Sequence, residues 1–309
     1  EIAQCLVGSE MCIRDRLLRK QLENSVMKKI LFTGGTGFLG RNLVPKLREK
    51  YEIVAPTRQE LDLKDLNAVD SYIKNNQFDV IIHAAIPNVA FNNSDKEENL
   101  LKDSLGVFLK LHQLQDYYGK MFYFGSGAEY GKQCPIVDVM EDYFGTVLPE
   151  TDYGLAKYVM NSLCRQSKNI YNLRIFGCYG PTDAGFKLIT YVIRRCMEQA
   201  TIELNKDCKF DFMWVMDLCM VLEYFIENTP QYHDYNVCTG KATWLTDIVH
   251  IIKSEMNSNS QIQLKEEGKA NEYSGNNLRI ITEINSLKFT PLLEGIRNQI
   301  HYELKAGRL

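Results

Sequence analysis

The chain has 309 residues, with 36 Lys and Arg against 39 Asp and Glu and a net charge of −3, enough for one large α/β unit or two modest domains. That balance gives no electrostatic reason to expect nucleic acid as a partner. The nine cysteines are scattered, with no C-x-x-C pair and no His/Cys cluster at metal-ligand spacing, so no metal and no disulfide framework is expected, and a reduced cytoplasmic setting is the simplest inference.

No apolar run approaches the ~18 residues that a membrane-spanning helix needs, and residues 1–26 lack the long apolar core of a secretory signal. Within them, Met11-Cys12-Ile13-Arg14-Asp15-Arg16 reads as the translated end of an adapter used in DNA library preparation. Residues 1–26 are therefore expected to be a non-native extension outside the fold, with the native start at Met27.

The first patterned stretch runs from Lys28 to Arg48. Ile30 to Phe32 has strand length, a turn follows with Gly34, Gly37 and Gly40 three apart, and Leu39, Leu43 and Leu47 then repeat at helical spacing. Strand, glycine turn and helix form a candidate diphosphate cradle: glycine lets the backbone approach closely, and the N–H groups of the first helical turn favour negative charge. Pro45 is expected to kink this helix or end it early.

Tyr51 to Arg58 and Phe78 to Ala85 read as further strands, the second apolar on both faces as central parallel strands are. Helix-like spacing covers Leu63 to Asn75 and Asp95 to Gln115, and the run Met121 to Phe124 ends in Gly125-Ser126-Gly127. The alternation continues through Asn172 to Phe176, which predicts an α/β fold with a doubly wound parallel sheet, a Rossmann arrangement, over residues 27–180. Residues 181–309 are expected to form mainly a smaller C-terminal substrate lobe, with some segments returning to the Rossmann domain. Its helices are expected over Leu188–Glu198, Asp217–Asn228 and Leu245–Met256, and residues 257–260 read as an exposed loop.

Tyr153 and Lys157 are four apart, so a helix would present both on one face. A lysine ammonium beside a phenol favours the phenolate and is expected to lower the tyrosine pKa toward working pH, making it a proton donor or acceptor. This is the only tyrosine in the chain with lysine four later; the bland alternative is an incidental surface pair.

Gly34, Gly37 and Gly40, Ser126 four before Tyr130, and Tyr153 with Lys157 together resemble the extended short-chain dehydrogenase/reductase superfamily, in its nucleotide-sugar epimerase/dehydratase branch. The resemblance implies Ser126 hydrogen-bonding the substrate carbonyl or hydroxyl, Tyr153 as acid/base, and Lys157 tuning Tyr153 and holding the nicotinamide ribose. It also implies cofactor contacts at Phe38, Leu39, Asp62, Leu63, Ala84 and Ala85, and a homodimer. Thr57 to Leu63 is similar to GDP-fucose synthases and more loosely to dTDP-4-dehydrorhamnose reductases. At the end of the second strand, where an NAD site places a carboxylate on the ribose 2′-hydroxyl, stand Thr57 and Arg58. A guanidinium there would accept the extra phosphate of NADP, although Glu60 lies close by and keeps NAD open, and Arg58 could equally be a solvated loop cation.

Departures from the branch narrow the chemistry. Nucleotide-sugar dehydratases carry Asp and Glu after the catalytic hydroxyl residue, and GDP-fucose synthases carry a cysteine in the second position. Here those positions are Gly127 and Ala128, and the companion histidine of the synthases aligns with Lys187. Phe210 stands where relatives carry a diphosphate-binding arginine. Charge for a substrate diphosphate could come from Lys187 or Arg279, and less specifically from Arg194, Arg195 or Lys209. Glu129, His83 and Trp214 are expected to be structural. The reading is an NADP-dependent reductase of a nucleotide-linked 4-keto-6-deoxy sugar in surface polysaccharide biosynthesis, with a 4-epimerase retaining NAD and a non-catalytic nucleotide-sensing member of the fold as alternatives.

Overall fold

The computed structural model describes residues 27–86 and 99–307. The 1–26 extension and the first residues of the helix expected from Asp95 lie outside the described residues. In chain order the strands are β1 Lys29–Thr33, β2 Glu52–Val54, β3 Val80–His83, β4 Lys120–Ser126, β5 Ile136–Val139, β6 Ile170–Ile175, β7 Gly177–Tyr179, β8 Ile202–Leu204, β9 Lys209–Trp214, β10 Asp234–Val237, β11 Ala242–Trp244, β12 Ile262–Leu264 and β13 Tyr273–Gly275. The α-helices are α1 Phe38–Leu47, α2 Leu66–Asn76, α3 Leu100–Gln113, α4 Asp152–Cys164, α5 Leu188–Met197, α6 Asp217–Glu227, α7 Leu245–Glu255, α8 Leu278–Glu283 and α9 Leu292–Ala306.

Six strands pair in parallel in the order β10-β6-β4-β3-β1-β2. Successive residues of β1 serve opposite faces. Ile30 and Phe32 join the core beneath α1 and α6, with Leu43, Leu47, Val221 and Phe225; Leu31 joins the core beneath α2, α3 and α4, with Ile73, Phe108, Leu111 and Met160. Both sheet faces are thus covered, which is why the strand sequences are continuously apolar. Chain direction across the sheet reverses between β1 and β3, opening a crevice at the carboxyl ends of these strands, where open α/β sheets bind ligands.

α1 continues through Pro45 and closes at Leu47, so the expected early stop does not occur. The buried Leu43 and Leu47 hold the last turn against the core despite the missing donor.

Past residue 181 the chain builds a second assembly, with strand order β11-β9-β13-β5 and β7 added alongside β9. The two layers exchange segments: β5 and β7 leave for the second sheet, while α6, α8 and β10 return to the parallel one. Residues 257–260 are only alternately exposed. Ser258 and Ser260 are buried, their hydroxyls bonded to each other at 2.9 Å, because this turn packs its small polar side chains inward.

One ionic cluster joins the strands that carry the candidate site. Arg174 on β6 has no exposed surface. Its guanidinium pairs with Glu129, just past β4, and with Asp234 on β10 at 2.8 Å, and it donates to Tyr130 Oη at 2.7 Å and Asn236 Oδ1 at 2.9 Å. Burial alone would raise the Asp234 carboxyl, but the guanidiniums of Arg174 and Arg165 outweigh it and hold the group at about 2. Removing one member of such a cluster strands the opposite charge in the interior. Arg174→Met is therefore expected to lower the free energy of unfolding by about 3–5 kcal/mol in urea titration, whereas exposed Lys168→Met, which breaks a surface pair with Asp116, should change it by less than about 1 kcal/mol.

Candidate active site

The glycine turn has the geometry the spacing requires. Gly34 has φ +76°, and a Cβ there would lie 2.7 Å from the Ala85 nitrogen. A Cβ on Gly40 would meet the Gly34 oxygen and the Gly35 backbone at 2.5 Å, so only glycine lets α1 start directly under the turn. Gly37 caps α1 with no side-chain bond, the first turn carries no acidic residue, and Thr36 and Gly37 are exposed. The Gly37 N–H closes the turn on the Gly34 carbonyl at 3.0 Å, and the helix start beyond it, with its dipole and no competing carboxylate, fits a diphosphate. Phe38 and Leu39 follow, half-buried, while Ala84 and Ala85 leave β3 against the turn, their N–H groups bonded to Thr33 O at 3.2 Å and Thr33 Oγ1 at 3.4 Å.

Beyond β2, Glu60 folds back to accept the Thr57 N–H at 2.7 Å, which lowers its pKa. Its carboxylate caps its own loop. Arg58 remains exposed, its Nε 3.8 Å from Asp62 Oδ1, so Arg58 and Asp62 share this rim with half-buried Leu63.

Ser126 ends β4 and is buried. Its Oγ accepts the Ala128 N–H at 3.2 Å and is hydrogen-bonded to Tyr153. Tyr153 and Lys157 lie in the first turns of α4, which Thr151 caps by accepting the Gly154 N–H at 3.1 Å. Lys157 Nζ donates to the Phe124 carbonyl at 2.7 Å and lies 5.9 Å from the Tyr153 ring centre. The expected lowering of the Tyr153 pKa is not found. Burial raises it, and the Ser126 hydrogen bond offsets this only in part. Lys157 is itself desolvated and pushed down to about 8, partly counteracted by Glu129. The trio therefore rests as a neutral phenol, a hydroxyl and a cation whose charge is readily released.

Of the substrate cations, Arg279 is withdrawn: its guanidinium contacts Asp234 Oδ1 at 3.0 Å, Asp142 Oδ1 at 2.9 Å and Glu141 Oε2 at 3.6 Å, so it fastens the edge of the ionic cluster. Arg194 pairs with Glu303, Arg195 with Glu198, and Lys209 lies over the Trp244 ring. Lys187 is exposed at the N-cap of α5, close enough to Lys132 to lower that residue's pKa after burial has done so. Phe210 stacks on Phe212 and abuts Tyr273, and neighbouring Asp211 is buried, accepting from Thr239, Gly240 and Lys241. Trp214 is buried in the lobe core and Glu129 in the ionic cluster.

Sequence reasoning missed Tyr273. It arrives from β13, 147 residues away, with its hydroxyl 3.2 Å from Ser126 Oγ. No local pattern announces it; the only trace is Gly127, where a Cβ would lie 2.7 Å from that hydroxyl.

Residues 30–238 match the NAD dependent epimerase/dehydratase family, and the chain belongs to that family of NAD(P)-dependent nucleotide-sugar oxidoreductases. It is 30% identical over 229 residues to GDP-6-deoxy-D-talose 4-dehydrogenase of Aggregatibacter actinomycetemcomitans, covering 69% of this chain and 74% of that one. With GDP-L-colitose synthase of Yersinia pseudotuberculosis it shares 27% over 249 residues, 72% and 80% of the two chains. Among solved structures, a GDP-mannoheptose C4 reductase from Campylobacter jejuni with NADP bound superposes with a TM-score of 0.76 at 18% identity, over 90% of this chain and 98% of that one. A GDP-L-fucose synthetase from Naegleria fowleri bound to NADP gives 0.78 at 16%, over 91% and 94%.

His83, at the end of β3, is buried, bonds Thr33 Oγ1 at 2.8 Å and is held neutral, its pKa lowered to about 3 by burial and then by Lys157. Below its ordinary value of about 6.5, the unfolded chain takes a proton that the folded chain refuses, so stability falls as pH drops from about 6.5 toward 3. His83→Gln should flatten the stability profile in that window by up to about 1.4 kcal/mol per pH unit, measured as the difference between wild-type and variant urea titrations at each pH; parallel profiles would show that His83 is already charged.

Proposed function

We propose that the protein is an NADP-dependent reductase of a nucleotide-linked 4-keto-6-deoxy sugar. The observation that carries this reading is the site itself: Ser126, Tyr153 and Lys157 converge at the end of β4, while the adjoining positions, Gly127 and Ala128, hold no group able to move a proton. Elimination of water and ring epimerisation both need such a group there; carbonyl reduction does not. The activities of the relatives, a 4-dehydrogenase of a GDP-6-deoxy sugar and a GDP-linked colitose synthase, support the same substrate class.

When bound, the dinucleotide supplies hydride from its nicotinamide ring. Gly34, Gly37 and Gly40 would hold its diphosphate against the start of α1, and Arg58 the 2′-phosphate. The Ser126 hydroxyl donates to the keto oxygen and draws charge onto it. Tyr153, kept a neutral phenol by burial, delivers the proton to that oxygen as it becomes an alkoxide. The nearby Lys157 ammonium compensates the phenolate left behind.

A panel of GDP-, dTDP-, CDP- and UDP-linked 4-keto-6-deoxy sugars, assayed with NADPH and with NADH, tests the reading. Stoichiometric NADPH consumption is expected with at least one of them. Cofactor-neutral interconversion of 4-epimers instead would identify the NAD-retaining epimerase. Arg58→Ala should weaken NADPH selectively and shift the NADPH/NADH preference by about ten-fold or more, the effect of losing one charge-assisted contact; equal losses with both cofactors would show that Arg58 does not read the phosphate.

A further inference from the structure

We infer that Tyr273 is a positioning residue for the reduction: by donating its hydroxyl proton to Ser126 Oγ, it forces the single proton of Ser126 to point toward Tyr153 and the substrate oxygen. A serine hydroxyl has two acceptor sites and one proton. Ser126 Oγ already accepts the Ala128 N–H at 3.2 Å, and the Tyr273 hydroxyl stands 3.2 Å away. With both acceptor sites filled, the serine proton has one direction left, and Tyr153 is the group bonded there.

Three observations support that donor direction and show that the contact is built. The Tyr273 oxygen also lies within hydrogen-bonding reach of the Ala128 N–H, a donor facing its lone pairs, and burial keeps the phenol protonated, so its own proton is available to the serine. The ring is gripped, with Phe176 and Phe210 at 5.2 Å and 4.9 Å between ring centres and Lys132 Nζ 4.3 Å from the ring centre. Finally, Gly127 leaves the only room: any Cβ there would sit 2.7 Å from the Tyr273 hydroxyl and from the Phe176 ring. The same glycine that replaces a dehydratase carboxylate thus admits a second tyrosine, carried in by the C-terminal lobe.

This inference rests on the reductase reading, and a double-substitution cycle separates the two. With the keto sugar that wild type reduces and NADPH, Tyr273→Phe, which keeps the ring, should lower kcat about ten-fold or more and leave KM within about two-fold. In a Ser126→Ala background the same change should lower kcat less than about two-fold, because Tyr273 acts through Ser126. Unchanged kcat in Tyr273→Phe, or losses that multiply, would overturn the inference; a purely structural tyrosine would give multiplying losses. If wild type reduces none of the sugars, the reductase reading falls, and melting temperatures of the same four proteins decide the contact. Less-than-additive drops support the Ser126–Tyr273 bond, and additive drops overturn it.

Discussion

Arg174 is a guanidinium with no water around it, and the region that carries the chemistry is arranged to make that tolerable. Burying such a charge costs several kcal/mol unless it is paired and its donors are satisfied. Reaching out from β6, it takes its partners from two separate places: Glu129 and Tyr130 from the turn after β4, and Asp234 and Asn236 from β10. Asn172, one strand turn earlier, adds a bond to Glu129 at 3.0 Å. The effect is to pin the short 3₁₀ turn Gly127–Tyr130 against the sheet. Ser126 stands at the N-cap of that turn, accepting the Ala128 N–H, so the charge cluster fixes where the candidate catalytic hydroxyl sits.

The same cluster explains what the cleft lacks. Glu129 is the one carboxylate in that turn, and it points into the protein to neutralise Arg174. Beside the serine remain a glycine and an alanine. Glu129 still acts on the site at a distance, opposing the desolvation that lowers the Lys157 pKa. A buried network therefore acts on the lysine while the two positions after Ser126, Gly127 and Ala128, carry no general base, and the space freed by Gly127 is occupied by Tyr273.

Much of this was legible in the sequence because it rests on local periodicity. The both-face apolar runs of β1, β3 and β4, the glycine turn and the four-residue spacing of Tyr153 and Lys157 are patterns within one element, and the structure places each on the element anticipated. The tertiary bonds were not legible. Arg174 and Glu129 are 45 residues apart and Ser126 and Tyr273 are 147 apart, and one chain carries no local sign of such pairings. Arg279 was misread for the same reason: an arginine near the end of a chain looks available until Asp234, Asp142 and Glu141 are seen around it. Pro45 and the 257–260 turn show packing overriding local preference, since buried Leu47 sustains a helix turn and Ser258 and Ser260 fold inward. The Tyr153 pKa went the other way from the simple lysine argument because desolvation, which no spacing reveals, is the larger influence.

The central claim is that this site reduces a carbonyl without touching neighbouring ring protons, because Gly127 and Ala128 replace the groups that would exchange them. Running the reaction with NADPH and a GDP-4-keto-6-deoxy sugar in deuterated water, and reading the product by NMR, tests it most directly. The account predicts an alcohol at C4 with no deuterium at C3 or C5 above the no-enzyme control, whereas enzyme-dependent deuterium at either carbon would contradict it.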